Sequence, residues 1–295
     1  MSAPRAVSGL DEHGRIERLL VSHAADAFRS PLAIAAEWRE LAFTAPPDLE
    51  RAVAESERFL EAVSAAGAEL LRLPRAEGAS LDSIYVRDAS VVTPRGMLLA
   101  NMGKPARRGE PAAQAACFTA AGVPVVGAIE EPGHLEGGDV VWFDATTVAI
   151  GRGYRTDAEG IRQFRAHLGA GVEVIEVPLV HGRGPGDVFH LMSILSPVDR
   201  DLAVAYSPLL PVPFREWLLE RGIDLVEVPE EEFDSMGANV LAIAPRRCVM
   251  VEGNPLTRAR LERAGAEVAT YPGSEISRKG GGGPTCLTRP LARVV

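Results

Sequence analysis

The apolar positions of this chain fall into five copies of one pattern. Each copy is an amphipathic helical stretch, then a glycine, then an extended run rich in Val, Ile and Leu. The copies read AAGAELLRLP (65–74), AAGVPVVGAI (120–129), GAGVEVIEVP (169–178), ERGIDLVEVP (220–229) and RAGAEVATYP (263–272). Their glycines, Gly67, Gly122, Gly171, Gly222 and Gly265, recur at intervals of 43 to 55 residues. In four copies a proline stands seven residues on: Pro74, Pro178, Pro229 and Pro272. The glycine suits the left-handed position that ends a helix. The run after it has the composition of a pleated, buried strand, and proline, lacking an N–H, stops that strand from pairing further. The pattern predicts helices near 48–66, 109–121, 157–168, 213–221 and 255–264. In the first, Asp48 is placed as N-cap, and Leu49, Val53, Phe59, Leu60 and Val63 recur at roughly helical spacing.

Short strand-like runs lie between the copies: YVRDASVVT, GMLLAN, VVWFD, TVAIG, LAVAY, NVLAIAP and RCVMVE. Each unit is therefore strands plus one helix, which makes the chain α/β. Repeats of this size form a solenoid or a closed ring, and a ring removes exposed sheet edges. A generic doubly wound sheet is also built from helix–glycine–strand units and stays open as the alternative. No interdomain linker interrupts the pattern. The glycine-rich SRKGGGGPT (277–285) leads into a strand-like end, so 1–295 reads as a single domain, with 1–14 as a loose tail.

Composition narrows the function. The 295 residues carry 31 Lys+Arg against 40 Asp+Glu, a formal charge of −9. That balance excludes the basic stripe a nucleic-acid footprint needs. Three widely spaced cysteines, Cys117, Cys248 and Cys286, exclude a disulfide framework and a CxxC zinc module. The first residues have no apolar signal region, and no apolar run approaches the roughly 18 residues of a membrane span. The expectation is a cytoplasmic protein.

The repeat also sets the phase of the reactive residues. Asp82 and Asp88 lie 15 and 21 residues after Gly67, Glu136 14 after Gly122, His190 19 after Gly171, and Cys286 21 after Gly265. In a pseudo-symmetric ring, equivalent positions converge on one mouth. A thiol needs a cationic neighbour to become a thiolate at neutral pH, a histidine can act as acid and base, and a glutamate can orient it. Aspartates suit a planar cation with forked N–H donors, such as a guanidinium. The set points to nucleophilic attack on an electron-poor carbon of a cationic substrate. Cys117, on a helix, and Cys248, in an apolar strand, read as core. Zinc on His134, Glu136, Asp139, His190 and Cys286 lacks ligand spacing, so no metal is expected. HGRGPG is followed by no helix, which argues against a phosphate cradle.

These residues sit in segments that resemble the guanidino-group-modifying superfamily, the penteins: DSIYVRDASVV (82–92), GKPARRGEP (103–111), LEGGDV (135–140), GRGYRTD (151–157), HLMS (190–193) and GGGPTCLTRPLAR (281–293). Within it the chain looks most like bacterial dimethylarginine dimethylaminohydrolases and the arginine deiminases and amidinotransferases grouped with them. The resemblance implies a five-bladed pseudo-symmetric α/β propeller and a cofactor-free hydrolase. It implies Cys286 as nucleophile, His190 as acid and base, and Glu136 as its carboxylate partner. It implies Asp82 and Asp88 as guanidinium-binding groups, and Arg108 and Arg155 as the grip on a substrate carboxylate, with Arg107 competing for the first role. The expected partner is a small guanidino substrate, without nucleic acid or membrane; a homodimer stays open. Arg87 stands where the dimethylarginine enzymes carry a glutamate, and Met192 where deiminases carry an aspartate. An apolar Met192 beside the guanidinium favours N-methylated substrate, dimethylarginine to citrulline plus dimethylamine, with arginine deimination, amidinotransfer or a non-catalytic pentein as alternatives.

Overall fold

The computed structural model describes residues 7–187 and 189–294. Its strands form five three-stranded sheets. In chain order these are β3 (Ser90–Thr93), β4 (Gly96–Leu99) and β5 (Val125–Ala128); β6 (Val140–Asp144), β7 (Thr147–Arg152) and β8 (Glu173–Pro178); β9 (Leu195–Asp199), β10 (Leu202–Ala205) and β11 (Asp224–Glu227); and β12 (Val240–Ala244), β13 (Arg247–Val251) and β14 (Glu267–Tyr271). The fifth joins the two ends of the chain: β15 (Thr288–Val294), β1 (Arg15–Val21) and β2 (Glu69–Arg72).

All five share one topology. The first strand pairs antiparallel with the second, and the second pairs parallel with the third. A parallel pair needs a crossover, and in every sheet a helix supplies it: α1 (Leu49–Ser64), α2 (Glu110–Ala120), α3 (Ala158–Leu168), α4 (Val212–Glu220) and α5 (Pro255–Arg263). These lie within two residues of the helices read from the pattern. The glycines that follow them all have positive φ, from 69° to 98°. At Gly67, Gly122, Gly171 and Gly222 a Cβ would meet open space, so backbone conformation alone calls for glycine there.

Burial sorts the strands by depth. First strands β3, β6, β9 and β12 are almost wholly buried, whereas third strands β2, β5, β8 and β11 are largely exposed or half-buried. β9 packs beside β12, β12 beside β1, and β15 beside β3. The innermost strands, hidden on both faces, therefore read as continuous rather than alternating apolar runs. Helix α1 is capped by the Asp48 carboxylate, which accepts the Arg51 N–H at 2.9 Å. It packs Phe59 against the Tyr271 ring. Its buried Glu55 accepts the backbone N–H groups of Ser274, Glu275 and Ile276 at 2.7 to 3.1 Å, anchoring the segment that runs into GGGGPTC.

One expectation is corrected. Residues 7–14 are not a loose tail: Asp11, Glu12 and His13 are buried. Glu12 forms a double ion pair with Arg87 at 3.1 and 3.3 Å, and Gly14 accepts a hydrogen bond from the Arg293 guanidinium. A charge buried among cations must be paired, and this one holds the N-terminal segment beneath the inner strands. Residues 1–6 lie outside the described residues.

Candidate active site

The turns that feed the innermost strands gather on one side of the molecule. Asp88 and Cys286 each lie two residues before their strand, Glu136 four residues before β6, and His190 five before β9. A small pocket is lined by Asp82, Asp88, Arg155, His190 and Cys286, with Tyr85, Lys104 and Arg107. A wider cavity of about 670 Å³ opens from Cys286 and His190 past Phe189, Phe233, Met236 and Lys279.

Glu136 is fully buried and saturated. One oxygen accepts the Gly103 N–H and Arg155 Nε, both at 3.0 Å; the other meets His190 Nε2 at 2.8 Å and Arg155 Nη2 at 2.9 Å. Burial would raise its pKa, but Arg155 and His190 outweigh burial and hold it well below the usual carboxylate range. His190 turns its other ring nitrogen, Nδ1, toward Asp88 at 3.9 Å. Burial opposes the imidazolium, yet Asp88, Asp139 and Glu136 together lift its pKa to about 8. Gly138 permits this approach, since a Cβ there would stand 2.7 Å from His190 Nδ1.

Cys286 is half-buried and sits in the glycine-rich turn. Gly280 and Gly282 lie against the Tyr85 side chain, where a Cβ would come within 2.0 and 2.4 Å of it. The Cys286 sulfur accepts a hydrogen bond from Asn239 Nδ2 at 3.5 Å. Burial and the Asp88 charge push the Cys286 thiol up.

The cations of the pocket are all paired. Arg107 gives a bidentate pair to Glu110 at 2.8 and 2.9 Å and a third bond to Asp88 at 2.6 Å. Lys104 bridges Asp82 at 2.6 Å and the Leu41 carbonyl at 2.9 Å. Here the expectation for Arg108 is corrected. Arg107 closes the short helical turn Pro105–Arg107, and its buried neighbour Glu110, three residues on, pulls it inward. Arg108, next in the turn, points to solvent near Glu131 at 3.8 Å and does not line the pocket. Arg155 does line it.

Met192 is buried in an apolar cluster with Val141, Leu195 and Ala203 and lines neither cavity. The preference for methylated substrate read from that position therefore has no geometric basis. Arg87, likewise, faces away from the pocket toward Glu12 and the Thr285 carbonyl. Lys104 and Asn239 were missed by sequence reasoning. Lys104 carries no phase signal, but Asn239 does: it lies 17 residues after Gly222, in the unit that had contributed nothing.

The family model for N,N dimethylarginine dimethylhydrolase, eukaryotic, matches residues 41–293. The chain belongs to this family. It is an enzyme of the pentein superfamily, a hydrolase of guanidino C–N bonds. The N(G),N(G)-dimethylarginine dimethylaminohydrolase of Streptomyces coelicolor is 32% identical over 217 residues, 73% of this chain and 77% of that protein. Among solved structures, the Pseudomonas aeruginosa dimethylarginine dimethylaminohydrolase complexed with citrulline superposes with a TM-score of 0.74 at 24% identity, covering 95% of this chain and 100% of that one. The N-terminal domain of ArgZ, an arginine dihydrolase from Cyanobacteria, gives 0.77 at 20% identity over 94% of this chain and 98% of that one. At these identities the two structures establish the shared fold. Among the described residues no helix is long and apolar enough to cross a membrane.

Proposed function

We propose that this enzyme hydrolyses dimethylarginine to citrulline and dimethylamine through a covalent bond to Cys286, within one catalytic domain whose five sheets close into a ring. The observation that carries the reading is the shared pocket: Cys286, His190, Asp82 and Asp88 line one small cavity with Glu136 directly behind the histidine. Support for ring closure comes from the five identical sheet topologies and from β15 pairing with β1, which would seal first and last units together. Three free thiols fit a reducing, cytoplasmic setting.

Asp82 and Asp88 orient the substrate guanidinium. Its positive charge offsets the Asp88 field and favours ionisation of Cys286, whose thiol is otherwise pushed up. The thiolate attacks the guanidinium carbon. His190, held as a cation by Glu136 and Asp88, donates the Nδ1 proton to the departing dimethylamine as the C–N bond breaks, leaving a thiouronium on sulfur. Neutral His190 then takes a proton from water, which adds to the same carbon. As the C–S bond breaks, the added hydroxyl gives up its proton to solvent, releasing citrulline and the thiolate with His190 again a cation. Arg155, anchored to Glu136 through Nε and Nη2, serves as the grip for the substrate carboxylate.

The choice of dimethylarginine rests on the family match over 41–293 and the Streptomyces relative. Arginine deimination is the second reading, favoured by the likeness to ArgZ. Product assays against dimethylarginine, monomethylarginine, arginine and agmatine decide between them. Release of dimethylamine with the highest kcat/KM is expected; a preference for arginine with ammonia release replaces this reading with the second.

A further inference from the structure

Four of the five turns leading into the innermost strands carry a residue already placed in the reaction: Asp88, Glu136, His190 and Cys286. The fifth, between β11 and β12, carries Asn239, one residue before its strand. Asn239 is buried, and its amide can take only one orientation. The backbone N–H of Thr285, which can only donate, lies 3.0 Å from one amide atom, and Thr285 Oγ1 donates to the same atom at 2.9 Å. That atom must be the carbonyl Oδ1. The amide nitrogen is thereby turned to the Cys286 sulfur.

An NH2 group donates and cannot accept, so at this contact the sulfur is the acceptor, the role that suits a thiolate. The backbone is shaped around the contact. A Cβ on Gly283 would stand 2.4 Å from Asn239 Oδ1, so only glycine lets the amide lie against the turn.

We propose that Asn239 is a catalytic residue, the side-chain donor that holds and aims the Cys286 thiolate, and that Thr285 is a positioning residue that orients the amide and whose own hydroxyl lies 3.9 Å from the same sulfur. This inference rests on Cys286 being the nucleophile. A purely structural Asn239 would serve only as the acceptor for Thr285. The isosteric Asn239→Asp keeps both Thr285 bonds and the volume, but replaces the donor facing sulfur with a carboxylate oxygen.

The test is the pH dependence of Cys286 alkylation by iodoacetamide, a neutral probe that needs no turnover, resolved at Cys286 by mass spectrometry on the full chain. Wild type is compared with Asn239→Asp, Thr285→Val and Thr285→Ser, alongside kcat and KM. A hydrogen bond to a charged group corresponds to about tenfold or more. Asn239→Asp is therefore expected to move thiol titration upward by about one pH unit or more, and to lower kcat about tenfold or more with a smaller change in KM. Thr285→Val should shift titration less in the same direction, and Thr285→Ser should restore wild-type behaviour. An unchanged alkylation profile in folded Asn239→Asp overturns the proposal; if that variant does not fold, an unchanged profile in Thr285→Val overturns it instead. Undiminished turnover by Cys286→Ser would refute the nucleophile itself. A dead Cys286→Ser with an unmoved Asn239→Asp profile refutes only the role given to Asn239.

Discussion

Two buried clusters of charge lie back to back behind the Cys286 turn, and they are built on different terms. On the pocket side, Asp82, Asp88 and Glu136 face Lys104, Arg107 and Arg155, each through at least one bond of 2.6 to 3.0 Å. Beside the N-terminal segment, Arg87, Arg289 and Arg293 outnumber Asp11 and Glu12. There Arg289 Nε, Arg293 Nε and Nη2, and Asp11 Oδ2 have no partner within the described protein. Burial pushes the pKa of Arg289 well down and that of Arg293 to about 10. The clusters meet at one strand of chain: the Arg87 N–H donates to the Cys286 carbonyl at 3.1 Å, and Arg87 Nε to the Thr285 carbonyl at 3.2 Å. In the pocket cluster Asp82 and Asp88, each held by a cation, still line the cavity. The other spends its imbalance on tying residues 7–14 and β15 to the turn that carries the thiol.

If that division holds, variants in the two clusters should separate activity from stability. Cys286→Ser should lose turnover by at least about a thousandfold with little change in Tm, because a hydroxyl without a strong base is a poor nucleophile. Steady-state assays and thermal melts on the same preparation check this. In the N-terminal cluster, Glu12→Ala leaves buried Arg87 without its carboxylate and should cost about 3–5 kcal/mol in denaturant unfolding. Combining it with Arg87→Met should recover most of that loss. A Glu12→Ala protein of full stability would mean that the Glu12–Arg87 pair does not hold the N-terminal segment.

Glu136→Gln sharpens the comparison on the pocket side. It should cut kcat about a hundredfold, and it should lower the alkaline limb of the pH–rate profile. Burial already disfavours the His190 imidazolium, and the variant removes one of the three carboxylates that lift it to about 8. A limb that stays in place would show that another group sets it. A smaller effect concerns stability against pH. His190 has a folded pKa raised above the ordinary value of about 6.5, so its contribution is fully present below about 6.5 and is lost as pH rises through about 8. His190→Gln should flatten that part of a pH series of urea unfolding curves. The least change is expected from Cys117→Ser and Cys248→Ser, which touch neither cluster and should retain most activity wherever they fold.

Much of this was legible along the chain. Five helix–glycine–strand copies predicted five sheet-and-helix units, because helix ends and buried strands are set by local conformation and periodicity. The phase of Asp88, Glu136, His190 and Cys286 against those glycines predicted a shared mouth, because equivalent turns in a repeat share a position. The same phase held Asn239, but asparagine announces no chemistry until its amide is seen pinned by Thr285 and aimed at sulfur.

What only the tertiary structure decided was direction at single positions. Arg107 turns in and Arg108 out because Glu110 and Asp88 wait on one side of a short turn. Arg87 leaves the pocket because Glu12, distant in sequence, offers a carboxylate that takes both guanidinium Nη atoms, and Met192 sinks among apolar neighbours rather than beside a guanidinium. A repeat fixes where a residue sits along its unit. Which way its side chain points depends on partners brought from elsewhere by the packing, and those contacts leave no periodic trace in the sequence.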